Sequence, residues 1–135
     1  MMNGPLSSIM TRDVITAGQD DTLAVARNIF LKNKVHHLPI VNGSQLVGIL
    51  TTYDLFRVNG SHKNMSYDEI PIRDVMTTHI ATLEPEDKIG TAAELFLENL
   101  FHAVPIVKDG DLKGIVTSFD VIKYEFQKEY PSQVI

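Results

Sequence analysis

The amino-acid sequence predicts a mixed α+β fold (α/β mixed) in which one structural unit occurs twice. The first observation is an internal repeat, because residues 5–56 align without a gap on residues 71–122. The second is that each copy contains apolar residues at helical spacing, followed by two β-prone runs with a turn signal between them. Each repeat is therefore predicted to have the order strand, helix, strand, strand, helix.

Matched identities are distributed along the whole repeat and are interleaved with conservative exchanges such as Tyr53/Phe119. Low-complexity sequence would instead give matches in runs, so the pattern indicates a true duplication. Segments 48–54 and 114–120 both read Gly-Ile-x-Thr-x-x-Asp. Other identical pairs include Met10/Met76, Thr11/Thr77, Thr16/Thr82, Asp21/Asp87, Ala26/Ala92, Phe30/Phe96, Asn33/Asn99, His36/His102, Pro39/Pro105 and Leu46/Leu112.

The first repeat opens with an arm, residues 1–8, that is expected to pack lightly. The β-prone run 14–16 predicts the first strand, and an Asp within the polar segment 18–21 is expected to cap the following helix. Apolar residues then recur at helical spacing over residues 22–33 and predict one buried face. These residues are Leu23, Ala26 and Phe30, joined by Val25 and Ile29.

A β-hairpin is predicted after this helix. Residues 35–41 and 45–50 are rich in β-prone residues, and Asn42-Gly43 between them is a strong turn signal, as is Asp109-Gly110 in the second repeat. The second helix of the repeat is predicted to begin at Thr51, with Leu55 and Phe56 facing inward. Packing in the core or between the repeats is predicted for Phe30, Phe96, Leu31 and Leu97.

The domain organisation follows from the repeat. Residues 1–58 form the first repeat with its arm, polar residues 59–70 form a linker, residues 71–130 form the second repeat with a C-terminal helix, and residues 131–135 form a tail. The amphipathic C-terminal helix is longer than its counterpart in the first repeat. It is expected either to pack back on the N-terminal arm or to contact a partner in a homodimer.

Composition excludes several classes of function. The 12 basic and 17 acidic residues give a formal charge of −5, which argues against nucleic acid as a partner. The chain of 135 residues has no cysteine, and hence no disulfide or thiolate chemistry. It has neither a signal-peptide pattern nor an apolar run of membrane-spanning length. We therefore expect a cytoplasmic protein with no membrane partner.

The histidines do not form a metal-binding pattern. His36 and His37 are neighbours on a predicted strand and so face opposite sides, and His62 lies in the predicted linker. No His-Glu-x-x-His motif, phosphate-binding glycine loop, dinucleotide fingerprint or Gly-x-Ser-x-Gly elbow occurs. The sequence thus predicts no metal, no cofactor and no catalytic residue.

Two interpretations are compatible with Thr51-x-x-Asp54 and its copy Thr117-x-x-Asp120. A Thr followed three residues later by an acid is a capping pattern for a helix N-terminus. The same geometry offers unpaired amides and a hydroxyl to a phosphate, while the carboxylate can accept hydrogen bonds from a vicinal diol such as a ribose.

These features together resemble the cystathionine β-synthase-type (CBS) domain pair, also called a Bateman module. The resemblance rests on the duplicated Met-Thr starts, the strand His-x-x-Pro-Ile-Val, the hairpin signals and Gly-Ile-x-Thr-x-x-Asp, and it covers nearly the whole chain. It implies two βαββα repeats related by a pseudo-twofold and packed through their β-sheets, with two ligand clefts at their junction. Such modules often bind AMP, ADP, ATP or S-adenosylmethionine.

The resemblance also implies roles for individual residues. Asp54 and Asp120 match the acid that holds the ribose, and Thr51 and Thr117 match the hydroxyl near phosphate. His36, His37 and His102 match phosphate-contact positions, whereas Ala103 departs from the pattern and makes the first cleft the better predicted anion site. The segments that lie against the base are Val14, Ile15 and Thr16 in one repeat, and Ile80, Ala81 and Thr82 in the other.

The sequence therefore predicts a non-enzymatic regulatory module that binds an adenine nucleotide or adenosyl ligand and signals by a change of conformation or assembly. A homodimer and an unknown effector protein are the expected partners. The alternative is a ligand-free dimerisation or protein-interaction module in which both Thr-x-x-Asp motifs are caps only. A nucleotide-processing enzyme is disfavoured because the chain shows no nucleophile, metal site or catalytic dyad.

Overall fold

The computed structural model describes residues 2–61, 65–99 and 101–131. The chain divides into two compact units. One, Ile15–Ile80, is called here the Asp54 unit; the other, Met1–Val14 with Ala81–Ile135, is called the Asp120 unit. The boundaries of the two units differ from the boundaries of the two sequence repeats. The first fourteen residues precede the first repeat's helix in the sequence but belong to the same unit as the second repeat.

The Asp54 unit confirms the predicted order of elements. Its strands and helices are β1 (Ala17–Gly18), α1 (Leu23–Asn33), β2 (His37–Asn42), β3 (Gln45–Thr51) and α2 (Thr52–Ser61). Strand β1 runs parallel to β2, and β2 is antiparallel to β3. The first strand therefore lies just after the β-prone run 14–16 that predicted it.

The Asp120 unit repeats this arrangement. It contains α3 (Ile89–Asn99), β4 (Ala103–Lys108), β5 (Asp111–Thr117) and α4 (Ser118–Glu129). Strands β4 and β5 are antiparallel, and a single parallel bridge between Leu83 and Ile106 takes the place of β1. Both units are thus mixed α+β, as predicted.

Each hairpin closes through a two-residue loop, since Asn42 pairs with Gln45 and Lys108 pairs with Asp111. Asp109 and Gly110 both have positive φ, 53° and 85°, as a type I′ turn requires. In the first hairpin Gly43 has φ 65° and supplies the left-handed position. The turn signals were read correctly, although the central residues of the first loop are Gly43 and Ser44.

The cap of α1 is Thr22 and not an Asp. The Thr22 hydroxyl accepts the Val25 amide over 3.4 Å, whereas the Asp21 carboxylate accepts the Gly18 amide over 2.8 Å. Asp21 therefore closes the turn that precedes the helix, and the prediction of an Asp cap was wrong. A Thr in the extended conformation at this position satisfies the same unpaired amide.

The N-terminal arm is part of a core. Leu6 is fully buried against Ile89 and Val104, and its amide donates to the Asp87 carbonyl over 2.8 Å. Thr11 and Ile115 exchange a pair of backbone hydrogen bonds of 2.9 and 3.0 Å. The expectation of light packing was therefore wrong. The segment that introduces the first repeat completes the unit built from the second.

The segment that introduces the second repeat does the same for the Asp54 unit. Ile72 is fully buried in the core of that unit, and Thr77 and Ile49 exchange two backbone hydrogen bonds of 2.9 Å. Ile70, at the end of the predicted linker, is also fully buried. Helix α2 continues to Ser61, residues 62–64 with His62 lie outside the described residues, and Tyr67–Glu69 forms a 3-10 turn.

Two apolar clusters form the interior. The Asp54 unit buries Leu23, Ala26, Phe30, Leu38, Ile40, Leu50 and Leu55, and the Asp120 unit buries Ile89, Ala92, Phe96, Val104, Ile106 and Val116. The predicted burial of Phe30, Phe96 and Leu55 is confirmed. The inward positions predicted for four other residues were wrong, since Val25, Leu31, Phe56 and Leu97 are 41%, 73%, 76% and 82% exposed.

The C-terminal helix α4 lies beside the N-terminal arm. Tyr124 packs against the core of the Asp120 unit, and its hydroxyl lies close to Gly4. This is one of the two alternatives predicted for the helix. The other remains open, because Phe119, Ile122 and Phe126 on α4 are exposed. Residues 132–135 of the predicted tail lie outside the described residues.

Candidate functional site

The first Thr-x-x-Asp motif stands at the junction of β3 and α2. The Thr51 amide donates to Asp54 Oδ2 over 2.8 Å, and the Asp54 amide donates to Thr51 Oγ1 over 3.2 Å. Thr51 is the last residue of a strand and α2 begins at the next residue, so the chain turns here and leaves amides without helical partners. The two side chains satisfy these amides reciprocally, as a capping box does.

The second motif has the same geometry at the junction of β5 and α4. The Thr117 amide donates to Asp120 Oδ2 over 2.8 Å, and the Asp120 amide donates to Thr117 Oγ1 over 3.2 Å. The structural interpretation of the motifs is thus correct in both repeats. Capping uses one carboxylate oxygen of each Asp and leaves the remaining helix amides for another role, so capping and ligand binding are compatible.

The predicted phosphate-contact histidines lie beside these helix starts. His37 is paired with Thr51 across the hairpin, and the His36 carbonyl accepts the Thr52 amide over 3.1 Å. In the other unit the His102 carbonyl accepts the Ser118 amide over 2.9 Å. The side chains of His36 and His102 are exposed. The backbone therefore holds a histidine next to each Thr-x-x-Asp motif.

Ala103 stands where the Asp54 unit has His37. It pairs with Thr117 across the second hairpin, and it is buried. The Asp120 unit thus has one histidine at its helix start where the Asp54 unit has two. The ranking of the first site as the better anion site depends on this difference and stays a prediction.

The predicted base-contact segments approach the end of the hairpin at which the histidines and the Thr-x-x-Asp motif lie. Ile15 and Thr16 lead directly into β1, whose Ala17 pairs in parallel with Ile40 of β2. The chain before Ala17 therefore approaches the end of β2 at which His37 lies. Ala81 and Thr82 lead in the same way into the bridge between Leu83 and Ile106.

The remaining two base-contact residues belong to the neighbouring units. Val14 is the last residue of the segment that joins the Asp120 unit, and Ile80 is the last residue of the Asp54 unit. Each unit by itself therefore brings together a Thr-x-x-Asp motif, at least one histidine and two residues of the predicted base-contact segment.

The sequence reasoning missed one residue of the first site, Arg57. Its Nη2 donates to Asp54 Oδ1 over 2.8 Å, and the Asp54 side chain is only 7% exposed. Asp120 is half-buried. The sequence does contain a signal for this ion pair, because an acidic and a basic residue three positions apart on a helix lie on the same face.

Glu86 and Lys108, whose pKa values are shifted, lie away from the Thr-x-x-Asp motifs. Hydrogen bonding to Lys108 lowers the pKa of Glu86, and hydrogen bonding to Glu86 in turn raises the pKa of Lys108. Lys108 is at the end of β4 opposite to Ala103. This ion pair is therefore a separate surface feature.

The described residues form neither a metal-binding cluster nor a membrane-spanning helix. Residues 2–61, 65–99 and 101–131 contain no group of three or more His, Cys, Asp or Glu side chains placed to hold a metal ion. Within the same ranges, none of the helices combines the length and the apolar character that crossing a membrane requires.

The fold and the duplicated motif define a class of protein. The family model of the CBS domain matches residues 6–60 and 72–126, which together cover most of the chain. The chain therefore belongs to the CBS domain family and contains a tandem pair of these domains. The two matched regions coincide with the internal repeat found in the sequence.

Individual relatives support this assignment. The uncharacterized protein MJ1404 of Methanocaldococcus jannaschii is 32% identical over 136 residues, which cover 92% of this chain and 32% of that protein. The CBS domain pair of protein MJ0100, solved with 5′-methylthioadenosine and S-adenosyl-L-methionine, has a TM-score of 0.81 and 27% identity over 93% of this chain and 98% of that one.

A second solved structure shows the fold over nearly the full length. A putative acetoin utilization protein (AcuB) from Vibrio cholerae has a TM-score of 0.87 and 24% identity, and the alignment covers 99% of both chains. The curated relatives are longer proteins, and the chain aligns with only part of each. The alignments span 32%, 47% and 24% of the first three of those proteins, so the chain corresponds to less than half of each.

Proposed function

We propose that this CBS pair is a non-enzymatic regulatory module that binds an adenine nucleotide or an adenosyl ligand at its two Thr-x-x-Asp sites. The observation that carries the proposal is the repetition of one geometry, a carboxylate and a hydroxyl at a helix start beside a histidine, in a chain of this family. AMP, ADP, ATP and S-adenosylmethionine are the candidate ligands.

Each part of an adenosyl ligand has a suitable partner in the site. The carboxylates of Asp54 and Asp120 can accept hydrogen bonds from the two ribose hydroxyls, because each oxygen has more than one acceptor position. The hydroxyls of Thr51 and Thr117, the helix amides and the adjacent histidines can bind phosphate. The base would then lie against residues 14–16 or 80–82, whose backbone amides and carbonyls can recognise adenine edges.

The choice of ligand class is supported by a relative. The CBS pair of protein MJ0100, 27% identical to this chain, was solved with two adenosyl compounds. Those compounds have an adenosine group in common and differ at its 5′ substituent. We therefore assign the common group to the Thr-x-x-Asp sites and leave the 5′ substituent as the part that distinguishes ligands.

A regulatory mechanism requires two states with different affinity for the ligand. A ligand that binds one arrangement of the protein more tightly shifts the population toward it, and a partner then senses the shift. The effector protein and the cytoplasmic location stay predictions. Solution scattering with and without ligand tests the mechanism, and equal profiles would contradict it.

Nucleotide binding is tested by thermal unfolding with AMP, ADP, ATP, NAD, S-adenosylmethionine and GMP. A ligand that binds only the folded form raises Tm by mass action. A hydrogen bond to a charged group contributes roughly 1.5–3 kcal/mol, so Asp54→Ala and Asp120→Ala should weaken binding about ten- to hundredfold at their own sites.

The control for this test is Glu69→Ala, which removes the carboxylate of a capping box outside the site, where Glu69 Oε1 accepts the Ser66 amide over 2.9 Å. This variant should keep the ligand response. If no compound shifts Tm, and the two Asp variants merely lose the roughly 1 kcal/mol of a cap, the motifs are structural and nucleotide binding is rejected.

The exposed apolar residues favour self-association as a second function. Leu97 and Ile122 are exposed on α3 and α4, and they line a groove of about 620 Å³ with Phe126 and Met2. The Asp54 unit exposes apolar side chains at the matching positions 31 and 56. Burial of such surfaces is a common basis of homodimers.

We therefore propose a homodimer that uses these helix faces. Leu97→Glu should reduce the mass measured by light scattering from that of a dimer to that of a monomer at equal concentration. Thr91→Glu, at another exposed position on α3, is the matched control for added negative charge. A wild-type chain that is monomeric at all concentrations would exclude the dimer.

A further inference from the structure

The carboxylate of Asp54 already has a cationic partner. Arg57 Nη2 donates to Asp54 Oδ1 over 2.8 Å, while Asp54 Oδ2 accepts the Thr51 amide. The Arg57 guanidinium also lies 5.4 Å from the centre of the Tyr53 ring, within the range of cation–π attraction. Arg57 is therefore held by two groups over the acid that is proposed to bind ribose.

The second repeat provides a natural comparison. It has Lys123 at the position of Arg57 and Phe119 at the position of Tyr53. The capping distances of Asp120 equal those of Asp54. In the part of the chain that the structure describes, Lys123 makes no ion pair and the second oxygen of Asp120 has no protein partner. The two sites thus share their cap and differ in the cation.

This difference affects access to the acid. A ribose diol must donate hydrogen bonds to the carboxylate, and a guanidinium on the same carboxylate is a charge-assisted competitor. Asp54 is also buried, whereas Asp120 is half-buried. A ribose at the Asp54 site therefore competes with Arg57 for the carboxylate. At the Asp120 site none of the described residues competes with it in this way.

We propose that Arg57 is a latch on Asp54 that makes the two sites unequal. Resting on the proposed nucleotide function, the latch lowers the affinity of the Asp54 site for the ribose, so that a ligand without phosphate should fill the Asp120 site first. The predicted phosphate contacts of His36 and His37 act in the opposite direction for a nucleotide. Arg57 acts through Asp54 and is a positioning residue. Arg57 itself is exposed, and ion pairs accessible to water contribute modestly, so the latch is expected to change affinity about two- to tenfold.

The latch is tested by isothermal titration of the full chain with two probes, 5′-methylthioadenosine and AMP. The first probe carries a ribose without phosphate, and the second adds a phosphate. Asp120→Ala isolates the Asp54 site, and Asp54→Ala isolates the Asp120 site. In the Asp120→Ala background, Arg57→Lys should raise the affinity for both probes about two- to tenfold.

The reciprocal exchange is the matched control. In the Asp54→Ala background, Lys123→Arg should lower the affinity of the Asp120 site by a similar factor, because it places the same guanidinium next to Asp120. Arg57→Lys in that background should have no effect, since the acid on which it acts is absent. A purely structural role of Arg57 would change both sites together and would overturn the latch.

The two probes separate the latch from a phosphate contact. If Arg57→Lys weakens AMP while leaving 5′-methylthioadenosine unchanged, Arg57 binds phosphate and is not a latch. Unchanged affinities for both probes in Arg57→Lys, with binding by the wild-type chain, overturn the latch and leave the proposed function intact. Absence of binding by the wild-type chain and all variants overturns both proposals.

Discussion

Met10 packs against the backbone of Gly114 in the other repeat of the sequence. A Cβ placed on Gly114 would lie 2.8 Å from Met10 Sδ and 2.8 Å from the Thr11 carbonyl oxygen. A glycine is therefore required at position 114, because the chain at Thr11 passes too close to leave room for a side chain. The backbone hydrogen bonds between Thr11 and Ile115 hold this segment in place. Gly48 and Met76 repeat this relationship in the Asp54 unit.

Gly114→Ala should destabilise the protein by about 1–3 kcal/mol, because the added methyl group overlaps a backbone oxygen. Gly48→Ala should cost less. Its Cβ would lie 2.5 Å from Met76 Sδ, which belongs to a flexible side chain, and 3.2 Å from the Thr77 carbonyl oxygen. Urea unfolding followed by circular dichroism compares the two variants. Equal stability of Gly114→Ala and wild type would show that the segment at Thr11 can move.

The N-terminal arm should contribute to stability like a core element. Leu6 is fully buried in the Asp120 unit, so Leu6→Ala should lower the free energy of unfolding by about 2–5 kcal/mol. Ile72→Ala, at the matching position of the Asp54 unit, should cost a similar amount. Leu31→Ala is the control, since Leu31 is exposed and its removal should change stability by less than about 0.5 kcal/mol. A Leu6→Ala variant as stable as wild type would contradict the burial of the arm.

The elements could be predicted from the sequence because local signals and the repeat agree. Helical spacing in α1 and the turn residues of both hairpins gave the order of strands and helices, and duplication allowed each half to check the other. The capping geometry of Thr51 and Asp54 follows from the same local rules.

What the sequence did not predict depends on contacts between distant segments. The burial of Leu6 results from pairing of the arm with the second repeat, which no local pattern of residues 1–8 indicates. Phe56 and Leu97 are apolar residues on helices, yet both are exposed. Helical periodicity alone cannot distinguish an apolar residue that faces the core from one that is exposed on the surface of the chain.

The role of Thr117 as a cap gives a prediction about stability that is independent of any ligand. Thr117→Val removes the hydroxyl that accepts the Asp120 amide, keeps the shape of the side chain, and should destabilise the protein by about 0.5–2 kcal/mol. Thr117→Ser keeps the hydroxyl and should stay within about 0.5 kcal/mol of wild type. Chemical denaturation measures both variants, and a Thr117→Val variant as stable as wild type would show that the hydroxyl does not contribute to the cap.

The ion pair between Lys108 and Glu86 gives a prediction about pH. Lys108 Nζ lies 2.6 Å from Glu86 Oε1, and this hydrogen bond is the main reason why the pKa of Glu86 is lowered and the pKa of Lys108 is raised. Lys108→Met should therefore return the pKa of Glu86 upward toward its ordinary value. Carbon-13 NMR titration of the Glu86 carboxyl measures the change, with Lys113→Met as the control for loss of a positive charge.

The signs of the stability effects follow from the two shifts. A carboxyl whose pKa is lowered by folding stabilises the folded protein above its unfolded pKa, and this contribution disappears as the pH falls through the folded pKa. Lys108, whose pKa is raised, contributes below its unfolded pKa and loses that contribution as the pH rises through the folded pKa. Both groups are exposed, so the effect should be small and should decrease with added salt. A Glu86 pKa that is equal in wild type and in Lys108→Met would show that the pair does not persist in solution.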